Sequence, residues 1–262
     1  MMSSTDQGQT WTWPRTLLDG PIDDRDAGVV ETAKGTLLVT TFTSLAYQPQ
    51  LDKQIRLNES SNQKSDWSAE KLDRWKRVHN RLTAEQRKRE LGQWMIRSTD
   101  GGITWSRRYS SLVNSPHGPI QLADGRLLYA GKALWTGDKA GGGCESDDDG
   151  KSWRWLAKIP MRPGDVSSNY HELHAAETKS GRLIVHIRNH NAANDRETLQ
   201  CESDDGGRTW TTPHAIGVWG LPSFLSVLDD GRLLMTYGHR RQPLGIQARI
   251  SADAGATWSA PL

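Results

Sequence analysis

The sequence has little cysteine, little phenylalanine, almost no net charge and no long apolar run. Cysteine accounts for 2 of the 262 residues, and 33 basic side chains are balanced by 31 acidic ones. Because nucleic-acid and membrane-surface binding both need clustered basic charge, this balance argues against either kind of partner. No apolar stretch reaches the length of a membrane span, and residues 1–6 do not resemble a signal peptide. The default expectation for localisation is therefore cytoplasmic.

The two cysteines occupy equivalent places in the chain. Cys144 and Cys201 each lie two residues before a serine that opens the same short motif. This equivalence favours ordinary strand positions in neighbouring repeats over a disulfide or a metal site. We expect neither a metal nor a cofactor.

Tryptophan is abundant, and five of the twelve tryptophans belong to one eight-residue motif. Ser98–Trp105 has the form Ser-x-Asp-x-Gly-x-(Thr/Ser)-Trp, which recurs at Ser4–Trp11, Ser146–Trp153, Ser203–Trp210 and Ser251–Trp258. The aspartate can accept hydrogen bonds from the backbone of its own turn, and the glycine can adopt a positive φ. The threonine and tryptophan are expected to begin a strand. Five copies predict a repeat architecture.

A second repeated signal is a glycine turn followed by an apolar run. It occurs at Gly35, Gly125, Gly181 and Gly231, and such turns between apolar runs are typical of tight β-hairpins. Each repeat then has four antiparallel strands, A to D, which form one propeller blade. The glycine turn joins A to B, and the eight-residue motif joins C to D. Four complete blades are predicted at 26–110, 117–159, 170–216 and 223–262, and residues 4–18 end a preceding blade.

The first complete blade contains an insertion between strands B and C. The distance from glycine turn to motif aspartate is 65 residues there (35 to 100), against 22 to 24 in the other blades. The excess lies at about residues 46–92. Ser68–Val78 has apolar residues at helical spacing, and Thr83–Gln86 fits a capping box. The sequence therefore predicts a helical insertion, which is either a decorative hairpin or a lid.

The eight-residue motif is the Asp-box (BNR) repeat, and the sequence resembles the sialidase (neuraminidase) superfamily. In that family the box is a structural hairpin far from the active site. The resemblance implies an all-β fold, a six-bladed β-propeller of the sialidase type. With about four complete blades and part of another, residues 1–262 are interpreted as a single incomplete domain, truncated at both ends. Closure by pairing between chains is the alternative.

Blade geometry brings the starts of the A strands and the ends of the B strands together, opposite the Asp-boxes. Polar residues are concentrated at these positions, which is typical of a pocket for a polar ligand. Arg240 and Arg241 are interpreted as repeating the Arg188 position one blade later. The other polar residues at these strand ends are Asp24, Arg25, Asp26, His117, Lys132, Tyr170, His171, Glu172, Asn189, His190, Ser223 and His239.

The resemblance extends to individual residues. Sialidases have a Glu at the start of strand A and an Arg about sixteen residues later, and Glu172 and Arg188 are sixteen apart. The resemblance implies that Glu172 is the base that activates a Tyr nucleophile, and that Arg188 binds the sialic acid carboxylate. Planar guanidinium groups suit carboxylates. Arg241 lies ten residues before Ser251 and is preferred to Arg240 as a second clamp residue.

The sequence also departs from the family pattern. The Tyr nucleophile belongs to a blade after that of Arg241, and a clamp Arg and the acid/base Asp belong to the first blade. None of these is recognisable in the preferred register, which makes Arg25, Asp26 and His117 pocket-wall residues. An alternative register makes Arg25 the first clamp residue and Asp52 the acid.

The run from His171 to His174 contains two histidines and a glutamate. Because neighbours on a strand alternate faces, His171 and Glu172 are expected to point in opposite directions, which argues against a metal site.

These observations predict a sialidase-like exo-glycosidase that removes terminal sialic acid or a related acidic sugar by a retaining mechanism. The expected partner is a glycan with an acidic sugar. Two alternatives stay open: a non-catalytic propeller that binds a glycan or a protein, and a propeller enzyme of different chemistry.

Overall fold

The computed structural model describes residues 1–60 and 65–262. The chain divides into two compact units, which are described separately. The first comprises Met1–Arg25 and Phe42–Gly92, and the second comprises Asp26–Thr41 and Gln93–Leu262. Within the described ranges, the helices are too short or too polar to cross a membrane.

The described residues of the first unit form three helices, α1 (Gln48–Glu59), α2 (Ala69–His79) and α3 (Ala84–Arg89). The Ser68 side chain caps α2, and Thr83 forms a capping box with Gln86 at the start of α3. These two helices were predicted from the sequence. Helix α1 was not, because its apolar signal is weak: among its side chains only those of Leu51 and Gln54 are buried.

In the described part of the chain, four antiparallel sheets follow one another in sequence, and in each the strands are hydrogen-bonded in chain order. This succession confirms the all-β propeller fold. The first sheet contains β1 (Asp23–Glu31), β2 (Leu37–Ser44), β3 (Gln93–Ser98) and β4 (Tyr109–Ser110). The second contains β5 (Ile120–Gln121), β6 (Leu127–Lys132), β7 (Gly141–Ser146) and β8 (Arg154–Lys158). The third contains β9 (Tyr170–Glu177), β10 (Leu183–Asn189), β11 (Thr198–Ser203) and β12 (His214–Ala215). The fourth contains β13 (Gly220–Val227), β14 (Leu233–His239) and β15 (Gly245–Ser251).

The outermost strands differ from the sequence prediction. Strands β4, β8 and β12 begin after the Asp-box tryptophan, not at the threonine that precedes it. The prediction was wrong because the threonine of the box is already hydrogen-bonded, through its N–H and hydroxyl, to the box aspartate. In the fourth sheet, the segment after β15 donates two backbone hydrogen bonds, from Ser259 N–H to Ile250 O and from Leu262 N–H to Ala248 O. These bonds do not form a fourth strand, so this sheet has three strands.

The central strands are packed on both faces. Leu183, Val185 and Ile187 on β10 belong to a buried cluster shared with the second sheet, whereas Ile184 between them belongs to a cluster shared with the fourth. A strand that is covered on both sides needs a continuous apolar run, which explains why these strands lack polar alternation. Cys144 on β7 and Cys201 on β11 are buried free thiols, which confirms their prediction as strand positions.

The Asp-boxes of the second unit are closed by the same internal hydrogen bonds. In each box the glycine N–H donates to the serine Oγ, at 2.8–2.9 Å. Three of these glycines, Gly150, Gly207 and Gly255, pack on the preceding blade. An ideal Cβ on Gly150 would lie 2.5 Å from Leu38 Cδ1, and one on Gly255 would lie 3.1 Å from Ile184 Cδ1. The boxes therefore join adjacent blades as well as closing hairpins.

Candidate functional site

Glu172 and Arg188 lie on adjacent strands at one end of the third sheet. Arg188 on β10 pairs with His171 on β9, and the register shifts between His186 and Arg188. Glu172 lies in this bulge with a φ of 42°. A positive φ is rare for a residue with a side chain and is often found at functional sites. The bulge also interrupts the strict alternation of side-chain directions on which the sequence argument about His171 and Glu172 relies.

The two side chains form an ion pair. Arg188 Nη1 donates to both carboxylate oxygens of Glu172, at 2.6 and 2.7 Å. Arg188 Nε donates to His190 Nε2 at 2.8 Å, so that nitrogen of His190 carries no proton. Burial, together with the charge of Arg188, lowers the pKa of His190. Both members of the pair stay partly accessible, with side-chain exposures of 29% for Arg188 and 22% for Glu172.

Two more histidines lie close to this pair. Burial lowers the pKa of His117 to about 4, against the opposing effect of the Glu172 charge. Among the described residues, the buried Nε2 of His117 has no hydrogen-bond partner. Burial, followed by the charge of Lys132, lowers the pKa of His171 to about 4. At neutral pH both imidazoles are uncharged, so each can donate one hydrogen bond and accept another.

Tyr170 has a structural environment. Its hydroxyl donates to Asp165 Oδ2 at 2.6 Å, and Arg162 Nε donates to the same oxygen at 2.7 Å. Burial and the bond to Asp165 raise the pKa of Tyr170 to about 12. The hydroxyl of this predicted pocket residue is therefore committed to holding the segment that precedes β9.

Arg240 and Arg241 are placed differently from the sequence interpretation. The backbone N–H of Arg240 donates to Trp219 O, as that of His190 donates to Asn169 O. Arg240 is therefore the equivalent of His190, two residues beyond the Arg188 position, and the interpretation as an Arg188 repeat was wrong. The Arg241 guanidinium lies 3.3 Å from the centre of the Trp219 ring. Both arginines line a cavity of about 520 Å³ with Arg196, Glu197 and neighbouring residues; neither Glu172 nor Arg188 lines it.

The remaining predicted residues lie at the first sheet. Asp26 on β1 has a φ of 50° and belongs to the second unit. Arg25 belongs to the first unit, where its Nε lies 2.6 Å from Asp23 Oδ2. It lines a cavity of about 470 Å³ with Tyr47, Trp75 and other residues of that unit.

No group of three or more His, Cys, Asp or Glu side chains in the described part of the chain is arranged to hold a metal ion. The site built around Glu172 is thus one of ion pairs and neutral imidazoles.

Comparison with known proteins defines the family. A family model described as the BNR repeat-like domain matches residues 75–262, which is more than half of the chain. The chain belongs to the BNR repeat-like family.

Solved structures with the same propeller fold agree with membership of the BNR repeat-like family. A protein of unknown function from Dyadobacter fermentans DSM 18053 superposes with a TM-score of 0.71 at 24% identity, over 98% of this chain and 70% of that one. The Hadza microbial sialidase Hz136 superposes with a TM-score of 0.68 at 21% identity, over 100% of this chain and 51% of the sialidase. The GH93 α-L-arabinofuranosidase of Fusarium graminearum superposes with a TM-score of 0.59 at 14% identity, over 95% of this chain and 67% of that enzyme.

This chain thus spans about half the length of that sialidase. No curated protein matches the sequence. At these identities the structural likeness establishes the fold, a sialidase-type BNR propeller.

The sequence reasoning missed two participants in the BNR propeller's candidate site. Asp165 lies in the connection before β9 and holds Tyr170 and Arg162. Trp219 lies directly before β13, and its ring packs against the Arg241 guanidinium. Both precede an A strand by a few residues, so extending the search upstream of each A strand would have found them.

Proposed function

We propose that this chain forms part of a sialidase-like exo-glycosidase, which removes terminal sialic acid or a related acidic sugar from glycans by a retaining mechanism. The observation that carries the proposal is the Glu172–Arg188 ion pair, held at a positive-φ bulge beside neutral histidines. The structural neighbours include a sialidase, an α-L-arabinofuranosidase and an α-L-arabinanase, which supports a glycan-hydrolysing class.

Glu172 is proposed as the base. The guanidinium of Arg188 holds its carboxylate in one position, where it can accept a proton from a nucleophilic hydroxyl. Arg188 uses Nη1 for Glu172 and Nε for His190, and Nη2 is the donor proposed for the sugar carboxylate. One guanidinium would then orient both the base and the substrate.

Arg241 is proposed as a second carboxylate-binding residue. It is exposed and lies over the face of Trp219, a contact worth about 0.5–2 kcal/mol. Drawing the Arg241 guanidinium off the ring towards Arg188 would lose this contact, and the attraction of an anionic sugar can compensate the loss. His117, with its buried Nε2 lacking a partner among the described residues, is proposed to bond a sugar hydroxyl.

The test is hydrolysis of a fluorogenic sialoside and a fluorogenic α-L-arabinofuranoside. Both are assayed with this chain and with a version extended along its reading frame. We expect turnover of the sialoside, and losses of roughly 10²–10⁴-fold for Glu172→Gln and Arg188→Ala. Glu31→Gln and Arg208→Ala change exposed residues and serve as matched controls. Turnover of the arabinoside without the sialoside would refute the acidic-sugar assignment.

A non-catalytic glycan-binding propeller is the second candidate. It is favoured by the five tyrosines, because each hydroxyl is hydrogen-bonded to a residue other than Glu172. The pairs are Tyr47 with His79, Tyr109 with Gly150, Tyr129 with Ser115, Tyr170 with Asp165 and Tyr237 with Gln247. A Tyr nucleophile for Glu172 is thus not seen among the described residues. Saturable binding of an acidic sugar, without turnover by either version, would support this candidate.

A further inference from the structure

A buried lysine occupies the position of Arg188 in the preceding blade. Lys132 is the last residue of β6 and is 4% exposed. It lies five residues after Leu127 (132 − 127), and Arg188 lies five residues after Leu183 (188 − 183); each leucine pairs with the serine that opens the Asp-box of its own blade. Lys132 and Arg188 are therefore cationic residues at equivalent points of consecutive blades.

The ammonium group of Lys132 is only partly satisfied. Nζ donates one hydrogen bond, of 2.7 Å, to the carbonyl oxygen of Ser168, whereas an ammonium group can donate three. The ion pairs found among residues 1–60 and 65–262 do not include Lys132. Among the described residues, the titratable groups that interact electrostatically with it are His171 on β9 and Lys139 in the loop after β6, and neither supplies negative charge.

This environment is unfavourable for a charge. Burial, followed by the charge of Lys139, lowers the pKa of Lys132 to about 8, so most of the ammonium is still protonated at pH 7. Burying a cation without an anionic partner destabilises a fold, and an apolar side chain of similar length would pack there without that penalty. A charge kept under such conditions is typical of a residue whose partner arrives with the ligand.

The surroundings of Lys132 connect it to the candidate site. Its acceptor, Ser168, lies two residues before Tyr170, where β9 begins. The charges of Lys132 and Arg188 both lower the pKa of His171, and Arg188 pairs with His171 in the sheet. An anionic group that approaches His171 would meet positive charge from two blades.

We infer that Lys132 is a further cationic partner, beside Arg188 and Arg241, for the carboxylate of an acidic sugar, and that it selects acidic over neutral sugars. This inference rests on the proposed function, since it concerns the ligand of the same site. It adds a specificity residue from the second blade.

The test compares Lys132→Met and Lys132→Arg with the wild-type chain, and Lys151→Met, which changes an exposed lysine, is the control. Calorimetry measures binding of N-acetylneuraminate and of its uncharged methyl ester between pH 6.5 and 9. We expect Lys132→Met to weaken binding of the acid roughly tenfold or more and to leave the ester unchanged. Wild-type affinity for the acid should fall as pH rises through about 8, and Lys132→Arg should remove this fall because a guanidinium stays charged.

Thermal unfolding without ligand gives a second readout. Lys132→Met should unfold at the same or a higher temperature than the wild type, because it removes an unpaired buried charge. A lower unfolding temperature with unchanged affinity would make Lys132 structural and overturn the inference, as would equal weakening of acid and ester. If the affinity for the acid is the same in the wild type and in both Lys132 variants, this inference alone is overturned. Failure of the wild-type chain to bind any acidic sugar overturns the proposed function and the inference together. Should Lys132→Met not fold, the pH dependence of acid binding by Lys132→Arg decides the matter: the inference is overturned if affinity still falls as pH rises through about 8.

Discussion

The contact between an Asp-box and the preceding blade can be tested at Gly150. This glycine has a φ of 78°, and an ideal Cβ there would lie 2.5 and 2.9 Å from the two Cδ atoms of Leu38. Leu38 is fully buried and packs in a cluster with Met95 and Tyr129. Because its side chain is held on all sides, it cannot move away easily. Gly150→Ala should therefore strain both the backbone and the packing.

The expected magnitude follows from these two costs. A left-handed backbone costs an L-residue about 1–2 kcal/mol, and overpacking of a filled core costs about 1–3 kcal/mol. Together they predict a loss of about 2–5 kcal/mol in the free energy of unfolding. For a protein of this size that lowers the unfolding temperature by roughly 5–15 °C. Chemical denaturation followed by circular dichroism measures the free energy directly.

Gly125→Ala is the matched control. Gly125 has a φ of 88° with nothing within 4 Å of an ideal Cβ, so it reports the backbone cost alone, about 1–2 kcal/mol. The double variant Gly150→Ala with Leu38→Ala should lose less than the sum of the two single losses, because the smaller side chain removes the clash. Equal losses for Gly150→Ala and Gly125→Ala would refute the proposed packing of box on blade.

Two further predictions concern titration and a buried hydrogen bond. Burial lowers the pKa values of His117 and His186 to about 4, below the ordinary value near 6.5. The unfolded chain therefore binds more protons between pH 6.5 and 4, and stability should be complete above pH 6.5 and fall by about 1 kcal/mol per pH unit per histidine towards pH 4. Urea unfolding at pH 7.5 and 5 checks this, and a midpoint that does not change would contradict it. Tyr170→Phe removes the hydroxyl that donates to Asp165 and should cost about 1–3 kcal/mol of stability; unchanged thermal unfolding would show that the bond contributes nothing.

The Asp-boxes and the helix caps could be predicted because their bonds are local. In the box from Ser203 to Trp210, Asp205 accepts hydrogen bonds from Arg208 and Thr209, and Ser203 accepts one from Gly207. Every partner lies within four residues, so the sequence pattern contains the whole interaction. The same holds for Ser68 and Thr83, whose side chains cap α2 and α3.

The candidate site could be predicted only in part. The spacing of Glu172 and Arg188 around a hairpin turn brought both to one end of a blade, because antiparallel pairing is periodic. The bulge that gives Glu172 its positive φ has no local signal in the sequence. The placement of Arg241 over Trp219 depends on side-chain packing rather than on spacing.

The sequence by itself determined the repeat, the propeller class and the end of each blade where polar residues gather, since short-range hydrogen bonds and strand periodicity are written in adjacent residues. Only the tertiary structure decided which polar groups lose their water. The sequence shows Lys132 and His117 only as polar residues at strand ends, whereas the packed structure buries them and lowers their pKa values. Burial is a property of the packed blades, so no single stretch of sequence contains it.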